Sequence, residues 1–337
     1  MLNVAVIGVG NMGRNHARNY SEMSRTNLVG VCDINPKIAQ EVAKSFNTNF
    51  YVNYKVLIDK EKPDAASIAV PTKYHKDVAL DFIKKGIPIL IEKPLAANVK
   101  EAQKIAKEAF RKNITLAVGH IERFNPAVLK LKELVGNKKL GDILSIIVKR
   151  VGLFPPQIKD VNVVTDIAVH DLDIITNILG GLPRFVYASG SGALTNGRED
   201  HVEIFLDYES FGCFIQSNWI TPIKIRTLSI TGTKGHAELN YITQKLTLYK
   251  SNYKLWKHKG FKEFVAKFGE PEKISLNIRK KEPLRLELEN FLDSVVNKVS
   301  PLVTASDGIK ALILAEAVNQ SIRQHKVINP LKHGEKV

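Results

Sequence analysis

Several things are scarce in this chain, and each scarcity excludes a class of protein. The chain holds two cysteines, Cys32 and Cys213, in 337 residues. Two distant cysteines make neither a disulfide framework nor a cysteine-rich metal site. No run approaches the roughly 20 apolar residues that span a bilayer. The first residues, Met1-Leu2-Asn3-Val4, enter a strand pattern without the basic region and small-residue cleavage site of a secretory signal. These absences predict a reducing compartment and a cytoplasmic protein without a membrane partner. The nine histidines show no metal-ligand spacing, so no metal is expected.

Acidic residues are also in deficit: 34 Asp and Glu face 49 Lys and Arg, a formal charge of +15. That balance attracts polyanions such as nucleic acids, acidic surfaces or phosphorylated small molecules. The excess is concentrated in 245–281, with 11 basic residues and three Glu. Tyr249, Tyr253, Trp256 and Phe261 interleave with those lysines, a pattern able to stack bases. A solvated sheet face whose aromatics enter the core is the favoured reading, so nucleic acid is not the expected partner.

What is present is an ordinary globular composition, 44% hydrophobic and 25% charged, at a length that suggests two domains. Over the first 120 residues short apolar runs alternate with helical patterns. Strands are expected over 3–9, 28–33, 65–70, 88–91 and 114–118, with helices over 11–20, 36–46, 75–85 and 98–112. Such alternation implies βαβ units and a doubly wound parallel sheet, a Rossmann arrangement. After residue 121 the rhythm changes. A helix over 126–135, a strand over 143–151 and a helix over 165–179 precede six successive strand candidates between 184 and 249. Gly232-Thr233-Lys234-Gly235 reads as a hairpin connection. Two long helices, 283–298 and 304–326, follow. The fold class is therefore α/β: a dinucleotide-binding domain over 1–121, then an α+β domain over 122–337 with a large, mostly antiparallel open sheet.

Gly8-Val9-Gly10-Asn11-Met12-Gly13 is a G-x-G-x-x-G between an apolar strand and a helix, and Asp33 follows 20 residues after Gly13. Gly8 allows the tight turn, Gly10 lets the backbone approach a pyrophosphate, and Gly13 lets helix and strand pack closely. The helix N-terminus, at Asn11 and Met12, offers free N–H groups to phosphate. Asp33 would accept hydrogen bonds from the adenosine ribose and repel a 2′-phosphate, which favours NAD over NADP despite the nearby Lys37. Glu92-Lys93-Pro94 falls at the C-terminal end of the fourth expected strand, the edge where doubly wound sheets bind ligands. Proline keeps Lys93 out of the helical region.

Together with Pro71-Thr72-Lys73-Tyr74-His75, Asp166-x-x-x-His170, Glu282-Pro283-Leu284 and Ser306-Asp307-Gly308, these segments stand in the order typical of one family. The chain resembles the glucose–fructose oxidoreductase, inositol dehydrogenase and rhizopine-catabolism family over nearly its whole length. The resemblance implies NAD(P)-dependent oxidation of a sugar or cyclitol hydroxyl, with NAD the cofactor that Asp33 favours. It implies cofactor contacts at Gly8, Gly10, Asn11, Met12, Gly13, Asp33, Pro71, Thr72, His75, Glu92 and Lys93. It also implies a cis peptide before Pro94 and a homodimer or homotetramer formed through the C-terminal sheet. The catalytic residues it implies are Lys93, Asp166 and His170. Asp166 and His170 lie four apart in an expected helix and so share a face. His170 suits the general base that alcohol oxidation needs. Lys93 suits polarisation of the hydroxyl, and Asp166 suits orientation of the substrate. A binding-only regulator could lose all three, so their retention favours an enzyme.

Gly119 to Pro126 falls where the chain passes between domains. Arg123 and Asn125 are candidate substrate contacts, and Asn125 also reads as a cap for the helix after Pro126. The stretches 120–126 and 150–165 resemble the family's nucleotide-sugar branch. That resemblance implies oxidation at C3 of UDP-N-acetylglucosamine, with its uronate or an inositol as alternatives. Arg150 and Lys159 are candidates to meet the diphosphate, beside the plainer reading of a solvated basic surface.

Overall fold

The computed structural model describes residues 1–154, 161–195, 197–250 and 272–334. They form two compact units. The first comprises Met1–Phe124 and Lys281–Glu316, with a short terminal piece from Lys332; the second comprises Asn125–Lys280 and Ala317–Leu331.

The first unit is a six-stranded parallel sheet. Its strands are β1 (Leu2–Ile7), β2 (Thr26–Cys32), β3 (Asn49–Tyr51), β4 (Ala65–Ile68), β5 (Ile89–Glu92) and β6 (Leu116–Gly119). The spatial order β3-β2-β1-β4-β5-β6 is that of the doubly wound dinucleotide fold. β4, β5 and β6 are buried at every position, which explains why their sequences are apolar without alternation. Helices α1 (Asn11–Glu22), α2 (Pro36–Phe46), α3 (Tyr54–Glu61), α4 (His75–Lys84) and α5 (Val99–Arg111) connect the strands. Asn35 and Asn98 cap α2 and α5 with their side-chain oxygens, at positions where the chain has just left a strand or loop.

The first unit also takes in a distant part of the chain. Helix α8 (Pro283–Asn297) sends Leu284, Leu288, Phe291 and Leu292 into the same core as Val4, Val6, Ala17, Tyr20 and Val31. The early half of α9 (Ala305–Gln324) also belongs here, where Gly308 stands so close to Val118 and Leu95 that an added Cβ would lie 3.1–3.2 Å from them. The sequence-based division at residue 121 assigns 281–316 to the second domain, and the structure moves that stretch to the first. The apolar stripe of α8 is long enough to read as a helix, but nothing local shows which sheet it covers.

The second unit is built on an eight-stranded sheet ordered β14-β13-β12-β11-β7-β10-β9-β8. Its strands are β7 (Ile143–Leu153), β8 (Phe185–Ser191), β9 (His201–Asp207), β10 (Gly212–Asn218), β11 (Ile220–Gly232), β12 (Gly235–Asn240), β13 (Lys245–Lys250) and β14 (Glu272–Ser275). All neighbours are antiparallel except β7 and β10. Gly232 and Gly235 face each other across the hairpin expected there. Alternate residues such as Val202, Ile204 and Leu206 are buried. Helix α6 (Pro126–Gly136) packs on β12 and β13 and against α7 (Val169–Leu179).

On the other face Ile147, Phe214, Phe205 and Tyr187 lie in register across β7, β10, β9 and β8, each between 41 and 53% exposed. Cys32 and Cys213 are both buried with free thiols. No described helix is long and apolar enough to cross a membrane.

Candidate active site

The turn after β1 has the geometry its glycines require. Gly8 adopts φ +84°, and a Cβ there would stand 2.6 Å from the Ala69 carbonyl oxygen. A Cβ on Gly13 would come within 1.8 Å of the Gly8 carbonyl oxygen, so helix and turn touch only because both residues are glycine. Gly10 differs: a Cβ there would meet nothing within 4 Å. It is the N-cap of α1 and supplies no side-chain cap to the N–H groups of the first turn. Asn11 and Met12 are exposed at that turn. The Asp33 carboxylate accepts from the Val9 N–H (3.0 Å) and the Asn35 N–H (2.9 Å), fixing it at the end of β2 beside the glycine turn. An open helix N-terminus, a backbone cradle and a carboxylate beside it match the pyrophosphate and ribose of a dinucleotide.

The loops after β4 and β5 are joined through a histidine. Pro71 precedes a 3-10 turn at Thr72–Tyr74, and His75 opens α4. The His75 ring is buried, with Nε2 2.8 Å from the Val70 carbonyl oxygen and Nδ1 3.0 Å from that of Pro94. Burial pushes its pKa down against the pull of those carbonyls. At His75, expected to contact the cofactor, both ring nitrogens face carbonyl oxygens of the protein's own backbone, and the neutral ring donates to one of them. The peptide Lys93–Pro94 is cis.

Beside it lies a group that the sequence did not flag. His16, on α1, is fully buried and places Nε2 2.8 Å from Oε1 of Glu92. Oε2 of Glu92 accepts from the backbone N–H of Lys93 at 3.2 Å. Burial pushes the Glu92 carboxyl up, but the His16 hydrogen bond and the nearby Lys93 charge more than offset this and hold it below its ordinary value. Among the described residues, His16, Glu92 and Glu287 form one group of potential metal ligands, with donor atoms within 4.8 Å of one another. A 2.8 Å separation is that of a hydrogen bond, whereas two ligands on one tetrahedral zinc stand ~3.3 Å apart. The only sequence signal for His16 is its place in the inward stripe Gly13, His16, Ala17, Tyr20 of α1.

In the second unit Asp166 and His170 are not on one regular α-helix. Val164–Ala168 is a π-helical turn, marked by the Val169 N–H bonding back to the Val164 carbonyl, and α7 begins at Val169. The expected helix over 165–179 thus contains one wide turn, with Asp166 on it and His170 just beyond. Such bulges frequently occur at functional sites. Asp166 and His170 are both partly exposed, whereas Asp171 and Asp173 are buried.

Three residues expected to contact substrate have partners within their own units. Arg150 is 2% exposed and forms a two-pronged pair with Asp171, Nε to Oδ2 at 2.7 Å and Nη2 to Oδ1 at 3.0 Å. Its guanidinium also lies 4.7 Å from the centre of the Tyr241 ring. Breaking a buried pair of this kind costs about 3–5 kcal/mol, more than a surface contact to a diphosphate returns. Asn125 caps α6 through the Ala127 N–H (3.1 Å), as its capping reading anticipated, and donates to the Tyr241 carbonyl at 3.1 Å. Arg123, in the first unit, pairs with Asp307 at 3.1 Å, and that pairing helps hold the Asp307 carboxyl below its ordinary value against the effect of burial. Lys159 lies outside the described residues, as does most of the basic segment.

The two halves of the chain match two halves of one family. Residues 2–120 match the model described as oxidoreductase family, NAD-binding Rossmann fold, and residues 132–329 match the oxidoreductase family, C-terminal alpha/beta domain. The chain belongs to the Gfo/Idh/MocA oxidoreductase family. Members similar to it include the UDP-N-acetylglucosamine 3-dehydrogenase of Acidithiobacillus ferrooxidans, 27% identical over 87% of this chain and 88% of the relative. The rhizopine catabolism protein MocA of Rhizobium meliloti is 26% identical over 94% of both chains. A solved structure of the Acidithiobacillus dehydrogenase superposes with a TM-score of 0.84 at 25% identity, over 96% of this chain and 98% of that one. This Gfo/Idh/MocA protein is therefore an NAD-dependent oxidoreductase with the sugar-dehydrogenase architecture.

Proposed function

We propose that the chain oxidises the C3 hydroxyl of UDP-N-acetylglucosamine to a ketone. The reading is carried by the likeness to the Acidithiobacillus 3-dehydrogenase over 294 residues. It is supported by the presence of Lys93, Asp166 and His170 at the family's catalytic positions.

A bound nicotinamide would supply the hydride acceptor for the carbon that bears the hydroxyl. Gly10 and the first turn of α1 would hold the cofactor's phosphates, and Asp33 would hold its adenosine ribose. The C–H electron pair leaves as hydride, so the O–H proton must leave in the same conversion. His170 takes that proton. Lys93 donates a hydrogen bond to the oxygen and stabilises the negative charge that develops on it. Asp166 orients the sugar by accepting from a neighbouring hydroxyl.

The test supplies NAD and UDP-N-acetylglucosamine and traps the ketone as it forms. A product two hydrogens lighter, with deuterium lost from a C3-labelled substrate, meets the expectation. Product only from the uronate or from an inositol would keep the chemistry and replace the sugar. No product from any of them would overturn the reading.

The exposed row of Ile147, Phe214, Phe205 and Tyr187 supports a homo-oligomer in which a second copy covers this sheet face. The double substitution Phe205→Lys with Phe214→Glu should lower the mass seen by light scattering to that of one chain and leave NAD binding in place. An unchanged mass would remove the sheet face from the interface.

A further inference from the structure

Lys93 sits between two residues that each lie against a buried histidine. His75 Nδ1 stands 3.0 Å from the Pro94 carbonyl oxygen, and His16 holds the Glu92 carboxylate. The His16 contact is the more unusual. An inward position on a dinucleotide helix would ordinarily carry an apolar side chain, because burying an imidazole costs free energy unless it is partnered. His16 Nδ1 has no hydrogen-bond partner, so the Nε2 contact to Glu92 is what compensates its burial. An ionised carboxylate only accepts, so Nε2 carries the proton.

We propose that His16 is a positioning residue for Lys93, acting through the Glu92 carboxylate. The inference rests on the reading of Lys93 as the group that polarises the substrate hydroxyl. The linkage is short and continuous. The imidazole fixes Oε1, and Oε2 receives the N–H of Lys93 itself. The carboxylate lies against β6, where a Cβ on Gly119 would stand 3.1 Å from Oε2. Glu287 adds a second buried carboxylate, with a ligand atom within 4.8 Å of those of His16 and Glu92. Without the imidazole Glu92 would swing or take up a proton, and the backbone of Lys93 would lose its acceptor. The same helix presents its first turn to the cofactor phosphates, so one rigid element sets both the cofactor and the lysine.

The experiment compares His16→Leu with His16→Gln, whose amide nitrogen can donate in place of Nε2, and adds Gly119→Ala, which crowds the same carboxylate without touching the histidine. The first readout needs no substrate. The side-chain nitrogen resonance of Lys93 in lysine-labelled holoprotein is assigned by its loss in Lys93→Ala. It should move in His16→Leu and Gly119→Ala and return in His16→Gln. The second readout is turnover of the accepted sugar. In His16→Leu kcat should fall about 100-fold, the scale of a small misplacement of a reacting group, with KM for NAD within about threefold, and Gln should restore most of it. An unmoved resonance with unchanged kcat would overturn the proposal, as would Gln behaving like Leu. A resonance that moves and returns, in a protein that oxidises no sugar tested, would sustain the positioning role and overturn the dehydrogenase reading instead. Should His16→Leu fail to fold, Gly119→Ala reads the same link.

Discussion

The roles proposed for Lys93 and Asp33 differ, and substitutions at the two should separate them cleanly. Lys93→Ala removes an ammonium but no part of the glycine turn. Turnover should fall by orders of magnitude while the dissociation constant for NAD, measured by calorimetry, changes little. Asp33→Ala removes the acceptor for the Val9 N–H together with the carboxylate proposed to meet the ribose. NAD affinity should drop roughly 10- to 100-fold, the worth of hydrogen bonds to a charged group, and preference over NADP should shrink because the repelling carboxylate is gone. Equal affinity for both cofactors before and after would count against that role. Asp200 offers a pH signature. It is buried, and although burial raises its pKa, the N–H groups of Ala193, Leu194 and Thr195 together with His201 bring it down to about 2 from 3.8. A lowered folded-state pKa stabilises above the unfolded value and is lost as pH falls through the folded one. The native protein should therefore lose stability between about pH 4 and 2 that Asp200→Asn does not lose, as chemical denaturation at several pH values would show. At this scale the sequence was legible where chemistry and spacing coincide, as at Gly8, Gly13 and Asp33. It was opaque at Arg123 and Arg150, because a positive charge in sequence does not disclose the carboxylate, Asp307 or Asp171, that pairs with it.

At the scale of elements, caps and periodicity revealed most helices and strands, because Asn35, Asn98 and Asn125 each precede an amphipathic run. β3 and α3 escaped: the strand has three residues on an exposed edge, and the helix has eight with little apolar periodicity. The π-turn escaped for a different reason. One additional residue in a helical turn leaves composition and pattern nearly intact, yet it rotates everything before it by about 100° relative to everything after it. That rotation sets where Asp166 points relative to His170. Deleting Ile167 should convert the wide turn to α-helix, leave the melting temperature within a few degrees, and cut kcat by about two orders of magnitude or more. Retained activity would show that the wide turn is incidental.

For the whole molecule, the order of the chain and the order of the units do not coincide. Lys281–Glu316 returns to complete the unit that Met1–Phe124 begins, and the stretch between them forms the second unit together with the later Ala317–Leu331. Alternation of strands and helices foretold two domains, but a long-range return of this kind leaves no local trace, since any apolar helix face could cover either sheet. The return has a consequence for biosynthesis. At about 5–20 residues per second, a ribosome needs roughly 8–30 s to go from residue 124 to residue 281. For that interval the dinucleotide sheet has emerged with the surface meant for Leu284, Leu288, Phe291 and Leu292 uncovered. The unit that is begun first thus stays incomplete long after its sheet is made, and the nascent chain carries an open apolar flank that a chaperone can grip until α8 arrives.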